Sequence, residues 1–498
     1  MDAMVAFSWI GIMLLVGMIL RAKIPFLANI LMPASVIGGI IGFILMNIPA
    51  FVTATGIDSN MCNTIVGFFF TLSFISIGLT ATPKEEGKSS GETAKQMVKG
   101  SLGMGLLWGA MYCFTPIVGF ITVAAVGGFF DMDAGYGALI QFAFCQGPGQ
   151  SAAFGAQIEA AGALPGAGQV AITYSVIGFL FAFLVGVPLA KIGLKKGIAS
   201  HPEKLSTSVL KGIYKPEEQT ENCGKITTYN GNIDVLAFHM ALVGLTFVIT
   251  LYVQKLIMMI DISIVQTMGS MTFFVGLFVA YIVKWAMGKL NVKQYHDDIL
   301  QARITGCTTD FLIVGAFMAV QMSVIGKWLV PMMVMCVVVG IFTLAVTLFF
   351  GPRIGGSCDF ERTLGLWGCL TGTCPSGVAL IRIVDPNLRT TAATEMGAMN
   401  AAMIPGTLIV PFIIEALIGN MNFMPTVALM CLGLGIVNII LMKVVGTINK
   451  PTYSFKKPVV CPEVTDDCDN FEQSGTRSPF YKTLVKNVLH ICFIKNTV

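Results

Sequence analysis

Charge is what this sequence has little of. Only 12% of its 498 residues are Asp, Glu, Lys or Arg, about half the roughly 25% usual in soluble domains. A soluble chain of this length folds as roughly three domains, and 31 basic plus 27 acidic residues cannot solvate three surfaces. The chain is too apolar for disorder, with 55% hydrophobic residues. The net charge of +4 is small and dispersed, which argues against nucleic acid as a partner. No CxxC pair and no Asn-x-Ser/Thr acceptor occurs. The spacings Cys369/Cys374 and Cys461/Cys468 match no common zinc pattern. Most of the 13 cysteines lie in apolar runs and read as reduced structural thiols. No basic region precedes the first apolar stretch, Val5 to Leu20, and no cleavage site follows it, so it reads as a membrane helix rather than a signal peptide.

What is present is a series of long apolar runs, with a mean hydropathy of +0.78. A spanning helix needs about 20 apolar residues. Eleven stretches qualify: 3–20, 31–50, 63–82, 100–128, 168–190, 233–256, 264–286, 304–325, 328–350, 392–418 and 424–446. Two more, 134–162 and 359–386, are interrupted by Gly, Pro and small polar residues. Neither is long enough for two crossings or clean enough for one. The 29 Met and 35 Phe are packing and lipid-facing material, and Trp108, Trp285, Trp328 and Trp367 are the possible belt anchors.

The few charges are concentrated. The segments 83–99, 191–234, 284–303 and the tail from Lys443 hold 7, 12, 6 and 13 of them. With the N-terminus outside and each broken stretch returning to its own face, nearly all basic residues fall inside. They are Arg21 and Lys23; Lys84, Lys88, Lys95 and Lys99; seven lysines in 191–225; Lys284, Lys289, Lys293 and Arg303; Arg353, Arg362, Arg382 and Arg389; and eight in the tail. Only Lys255 and Lys327 fall outside. Counting either broken stretch as a full crossing spoils this asymmetry, so both read as re-entrant hairpins.

The fold class that follows is an all-α polytopic membrane protein of two inverted five-helix repeats. Each carries a hairpin before its fifth span, and an extra C-terminal helix follows. The domains are a repeat at 1–190, a cytoplasmic linker at 191–232, an inverted repeat at 233–420, a helix at 424–446 and a cytoplasmic tail at 447–498. The tips, Cys145-Gln-Gly-Pro-Gly-Gln-Ser151 and Leu370-Thr-Gly-Thr-Cys-Pro-Ser-Gly377, resemble each other, and Asp133 precedes the first much as Asp359 precedes the second. Broken elements in matched positions of inverted halves point to a secondary transporter, because irregular backbone survives at membrane depth only where protein or water satisfies it.

Several segments resemble the bacterial glutamate:sodium symporter family. Met32-Pro-Ala-Ser-Val-Ile-Gly-Gly39 is similar to that family's Pro-Glu-Pro-Val-Ala-Gly-Gly, and Phe74-Ile-Ser-Ile-Gly-Leu-Thr-Ala81 to its Phe-Ala-Thr-Ile-Gly-Leu-Asn-Ala. The Gly147-Pro-Gly-Gln-Ser-Ala-Ala153 and Gly372-Thr-Cys-Pro-Ser-Gly-Val-Ala379 tips resemble its Gly-His-Gly-Thr-Gly-Ala-Ala and Gly-Ala-Thr-Pro-Thr-Ala-Ile-Ala, and the span from Val170 through Pro188-Leu-Ala190 resembles its fifth helix. The resemblance covers roughly residues 20–420. It implies sodium-coupled uptake of an acidic amino acid by a homodimer in which a hairpin-bearing domain slides against a scaffold, as in an elevator. Gln146, Pro148, Gln150 and Cys374 depart from the family's tips, which bears on the substrate more than on the mechanism.

These readings assign substrate contacts to Gln146, Gly147, Gly149, Gln150, Ser151, Thr371, Gly372, Thr373 and Ser376 at the tips, with Arg382 and Asn400 as further candidates. The free amides of a helix N-terminus suit a carboxylate. For the ion, Asp310 lies about 10 Å beyond Arg303 in the eighth span, where a carboxylate is costly unless paired or ligating. With Thr308 and Thr309, and Thr71, Ser73 and Ser76 from the matching third span, it offers the hard oxygens that sodium favours. The eighth span carries Asp where the family has Ser, which leaves a proton-coupled role open. Arg382 and Glu159 also fit interfacial positions, Glu395 and Glu415 fit partners of basic residues, and His239 fits a structural role.

The function expected is sodium-coupled symport of glutamate or a related small carboxylate, with sodium as the coupling ion, no other cofactor and no enzymatic activity. A cation or proton antiporter or channel of related build, or a symporter for another organic anion, is the alternative. A membrane enzyme or receptor is disfavoured, since no nucleophile pair or acidic cluster lies at membrane depth. The protein is placed in the inner membrane with its C-terminus in the cytoplasm. The stretch Leu484 to Ile494 either lies on the inner leaflet or belongs to a mobile tail.

Overall fold

The computed structural model describes residues 2–29, 32–80, 90–200, 211–219, 224–229, 231–260, 265, 269, 272–385 and 389–455. The tail from 456, with its Leu484–Ile494 stretch, and parts of the 191–232 linker lie outside these residues. Every regular element among them is helical. The principal helices are α1 (Asp2–Lys23), α2 (Ala34–Met46), α3 (Pro49–Thr55), α4 (Ser59–Leu79), α5 (Ser90–Val126), α6 (Ile140–Phe144), α7 (Pro148–Ala160), α8 (Ala167–Lys195) and α9 (Val235–Met258). They continue with α10 (Thr272–Lys289), α11 (Asp298–Met318), α12 (Leu329–Phe350), α13 (Asp359–Thr371), α14 (Cys374–Val384), α15 (Ala392–Ala402), α16 (Val410–Leu417) and α17 (Ala428–Val444).

Among the described residues, eight helices are long and apolar enough to cross a membrane, or up to ten if each bent pair is one span. The chain is therefore a multi-pass membrane protein. The expected second span is bent by 96° between α2 and α3, and the tenth by 43° where Pro405 interrupts it. The expected eighth span is α11, which is long enough but carries Asp298, Arg303 and Asp310. Acidic residues start several helices. Asp58, Asp234 and Asp297 accept hydrogen bonds from the first free amides of α4, α9 and α11, which otherwise lack partners. Lys or Arg closes α1, α8, α10 and α17, opposite the negative helix end.

Helix α8 is the most enclosed of the eight, with 72% of its apolar window buried, against 22% for α1 and 28% for α9. The outer helices leave Leu15, Leu245, Leu256, Ile341 and Leu429 exposed, a surface suited to lipid rather than water. Of the candidate belt tryptophans, Trp285 is exposed, whereas Trp108, Trp328 and Trp367 are buried; their indoles serve the interior. Helix α4 packs lengthwise on α11, α2 packs on α11, and α10 packs on α4.

Candidate functional site

Both interrupted stretches fold as helical hairpins. In the first, α6 and α7 fold back so that the Phe142 and Phe154 rings lie 4.7 Å apart. In the second, α13 and α14 approach so closely that a Cβ on Gly368 would lie 2.7 Å from the Gly377 Cα. Proline in the first turn of each returning helix, Pro148 and Pro375, fits a position whose amide has no helical partner.

The two tips touch. A Cβ on Gly147 would lie 2.4 Å from Thr373 Cγ2 and 3.2 Å from the Gly372 carbonyl oxygen. Gly147 also has φ +80°, which favours glycine. Gly149 sits on the Phe70 ring of α4. The first tip is held by side chains. Gln150 donates to Gln146 Oε1 at 2.5 Å, and the Tyr112 hydroxyl donates to Gln150 Oε1 at 2.9 Å. Trp108 Nε1 donates to the Cys145 carbonyl at 2.7 Å, and the Ser151 and Ser175 hydroxyls lie 2.6 Å apart. At the second tip Thr373 and Ser376 hydroxyls are 3.2 Å apart, and Thr371 donates to the Trp367 carbonyl at 2.7 Å. Gln146 reaches the Met403 sulfur, while the Thr371 carbonyl abuts Gly178. Asn400 donates to the Gly397 carbonyl at 2.9 Å, and its buried Oδ1 has no hydrogen-bond partner.

A cavity of about 20 Å³ lies where both tips meet α4 and α11, room for about one water molecule. Ser73, Gln146, Thr309 and Thr373 contribute its polar lining, with Phe70 and Leu312 among its apolar walls. The hydroxyl hydrogens here are already directed to carbonyls: Ser73 to Phe70 at 2.8 Å, and Thr308 and Thr309 to Thr305 at 2.9 and 2.7 Å. Thr71 likewise donates to Gly67 at 3.1 Å. Their oxygen lone pairs are left for a donor or cation. Ser76 lies in a buried cluster beside the cavity. It donates to the Gln301 carbonyl at 3.0 Å and accepts from Gln301 Nε2 at 2.7 Å and Thr305 Oγ1 at 2.8 Å.

Asp310 and Arg382 stand apart from the cavity lining. Asp310 was expected to be buried and is exposed, on a stripe of α11 with Arg303, Gly306 and Cys307; Thr308 and Thr309 occupy the buried face. Its carboxylate faces Ser35 at the start of α2. Arg382 is exposed within electrostatic range of Arg303 and Tyr214. His239 is buried, accepting from the Asp297 amide through Nε2 at 2.9 Å and sharing a 2.7 Å contact between Nδ1 and the Val235 carbonyl. This arrangement assigns the proton to Nδ1.

Glu395 pairs with a basic residue, as its sequence position suggested, but the cluster it belongs to was not foreseen. At the open end of the second hairpin Arg362 binds Glu395 through Nε and a terminal nitrogen, at 2.6 and 2.7 Å, and Asp359 at 2.7 Å. All three side chains are buried. Thr391 donates to Glu395, and Thr452 donates to Asp359 at 2.9 Å. Residues 449–455 lie across this end as a strap. Asn449 and Thr452 bond the carbonyls of Arg353 and Pro352, the Tyr453 hydroxyl donates to Thr363 at 2.6 Å, and Lys196 donates to the Phe455 carbonyl. The signal available was the Asp359, Glu361, Arg362 cluster, too rich in charge for a lipid-facing stretch.

The model of the sodium/glutamate symporter family matches residues 1–384. It ends with α14, short of the roughly 20–420 over which the motifs resemble that family, and it takes in the first helix. No curated protein matches the chain.

Proposed function

Since the chain belongs to the sodium/glutamate symporter family, we propose that it couples sodium entry to the uptake of glutamate or a related small carboxylate. The observation that carries this reading is the contact of the two hairpin tips at a cavity shared with the hydroxyls of α4 and α11. The returning helices α7 and α14 begin at the tips, where unpaired amides favour an anion. The oxygens of Ser73, Thr309 and Thr373 suit a sodium ion. A cation held there offsets the charge of the substrate carboxylates, and this makes loading of one depend on the other. Gln146, Gln150, Ser151, Thr371 and Ser376 frame the substrate position, with Asn400 Oδ1 available as a further acceptor. The present cavity is water-sized, so glutamate enters only when Gly147 and Thr373 part.

The inverted repeat is part of this proposal. Helix α2 packs on α11 as α10 packs on α4, and the contact of Gln146 with Met403 mirrors that of Thr371 with Gly178. An elevator motion of the hairpin-bearing part, a homodimer, an inner-membrane location and a cytoplasmic C-terminus complete the reading. Asp310 then acts from the surface of α11, where a cation arriving between α11 and α2 would meet it. Uptake of labelled glutamate into proteoliposomes under an imposed sodium gradient tests the whole. Sodium-dependent accumulation, blocked by excess unlabelled dicarboxylate, is expected; uptake indifferent to sodium would refute the coupling.

A further inference from the structure

The structure assigns a redox-sensitive dithiol to the tip of the second hairpin, formed by Cys369 and Cys374. Their sulfurs are 3.4 Å apart, about 1.4 Å beyond a disulfide bond length. On an unbroken helix two residues five apart point in different directions and are separated by about 7.5 Å along the axis. Here the break at Gly372 and Thr373 turns the chain, and Cys374 returns to face Cys369. A third thiol, Cys145 on the first tip, lines the same cavity, with its sulfur against Thr115 at 3.9 Å.

The two thiols differ in access. Cys369 is buried, whereas Cys374 is half-buried and lines the cavity between the tips. A small oxidant arriving at that cavity meets Cys374 first. With hydrogen peroxide, the Cys374 thiolate attacks one peroxide oxygen and the O–O bond breaks. The sulfur becomes a sulfenic acid, and the departing hydroxide takes up a proton as water. The Cys369 sulfur then attacks the Cys374 sulfur and gives up its proton to the departing sulfenic hydroxyl, which leaves as a second water. In total two thiols and one peroxide give one disulfide and two waters.

The link would close a short ring around Leu370, Thr371, Gly372 and Thr373. It would fix the tip in the geometry that touches Gly147, so the expected consequence is reversible arrest of transport. This consequence rests on the proposed role of the tip in substrate binding; the dithiol itself does not.

The full chain in proteoliposomes should be treated with hydrogen peroxide, blocked with N-ethylmaleimide, and split for peptide mass measurement and uptake assay. The expected result is a Cys369–Cys374 disulfide, two hydrogens lighter and reversed by dithiothreitol. Uptake should fall at least fivefold and recover on reduction. Cys369→Ala should retain basal uptake and lose the response. Both cysteines remaining free for alkylation, or Cys374 passing to sulfinic acid without a link, would overturn the dithiol. A disulfide that forms while uptake is unchanged would overturn the switch. Untreated protein that takes up no glutamate counts against the substrate reading, while the mass measurement still decides the dithiol.

Discussion

Ser76 and Gln301, 225 residues apart, hold each other by two hydrogen bonds: the Ser76 hydroxyl donates to the Gln301 carbonyl and the Gln301 amide donates back to Ser76 Oγ. The same interval separates Gly147 from Gly372, which meet at the tips. Residues related by a two-fold axis touch only where the axis passes between them. Two such contacts at one interval are what the proposed inverted repeat requires.

Gln301→Leu leaves the Ser76 hydroxyl without its amide donor in a buried position. A loss of about 1–3 kcal/mol is expected, read as a lower unfolding temperature of the detergent-purified protein. If α4 and α11 together form the ion site, the sodium concentration for half-maximal uptake rises as well. A variant with unaltered stability and sodium response would remove the cluster from both roles.

Gly147→Ala places a methyl against Thr373 and forces a side chain into the left-handed region. Uptake should fall about tenfold, equivalent to about 1.4 kcal/mol. Adding Thr373→Ser removes the opposing methyl and should restore part of the rate. Rescue measured as initial uptake, at equal protein per vesicle, separates tip contact from general misfolding.

Glu395→Gln leaves the Arg362 guanidinium buried with half its partners. Breaking a buried pair by one member costs about 3–5 kcal/mol, so the melting temperature should drop sharply. Replacing Arg362, Glu395 and Asp359 together by Met, Met and Asn should recover much of the loss. If the triple variant is no more stable than Glu395→Gln, the charge itself is needed.

His296 lies in the connection before α11, outside the spans. Burial pushes its imidazole below the ordinary value; Asp298 opposes this, and His239 and Lys284 add to it. The unfolded chain therefore binds the proton first. Stability is greatest above the ordinary value of 6.5 and falls as pH drops through it toward the lower folded value. Melting temperatures at about pH 8 and about pH 5 should differ, and by less in His296→Gln. An equal difference in both proteins assigns the effect to another group.

Much of this molecule was legible in its sequence because apolar length and Gly/Pro interruptions are one-dimensional signals. Those signals gave the helices and both hairpins. Spans 31–50 and 392–418 read as straight because their hydropathy continues across the bends. The side on which a residue lies is a three-dimensional matter. Asp310 and Thr309 are neighbours in sequence, yet a 100° step sends one to the surface and the other to the cavity. Arg362 and Glu395 are 33 residues apart on different helices, so the sequence marks Glu395 as a partner of some basic residue without saying which.

The strap at 449–455 lies beyond the 384 residues that the family match covers, yet Thr452 completes the partners of Asp359 within that match. A piece of chain outside the family match thus covers an ion pair, Asp359 with Arg362, that lies within it. Cutting before Asn449 would be more than trimming an end: it would admit water to Arg362. Such a protein would keep every family motif while losing the shelter under which its buried charges are stable.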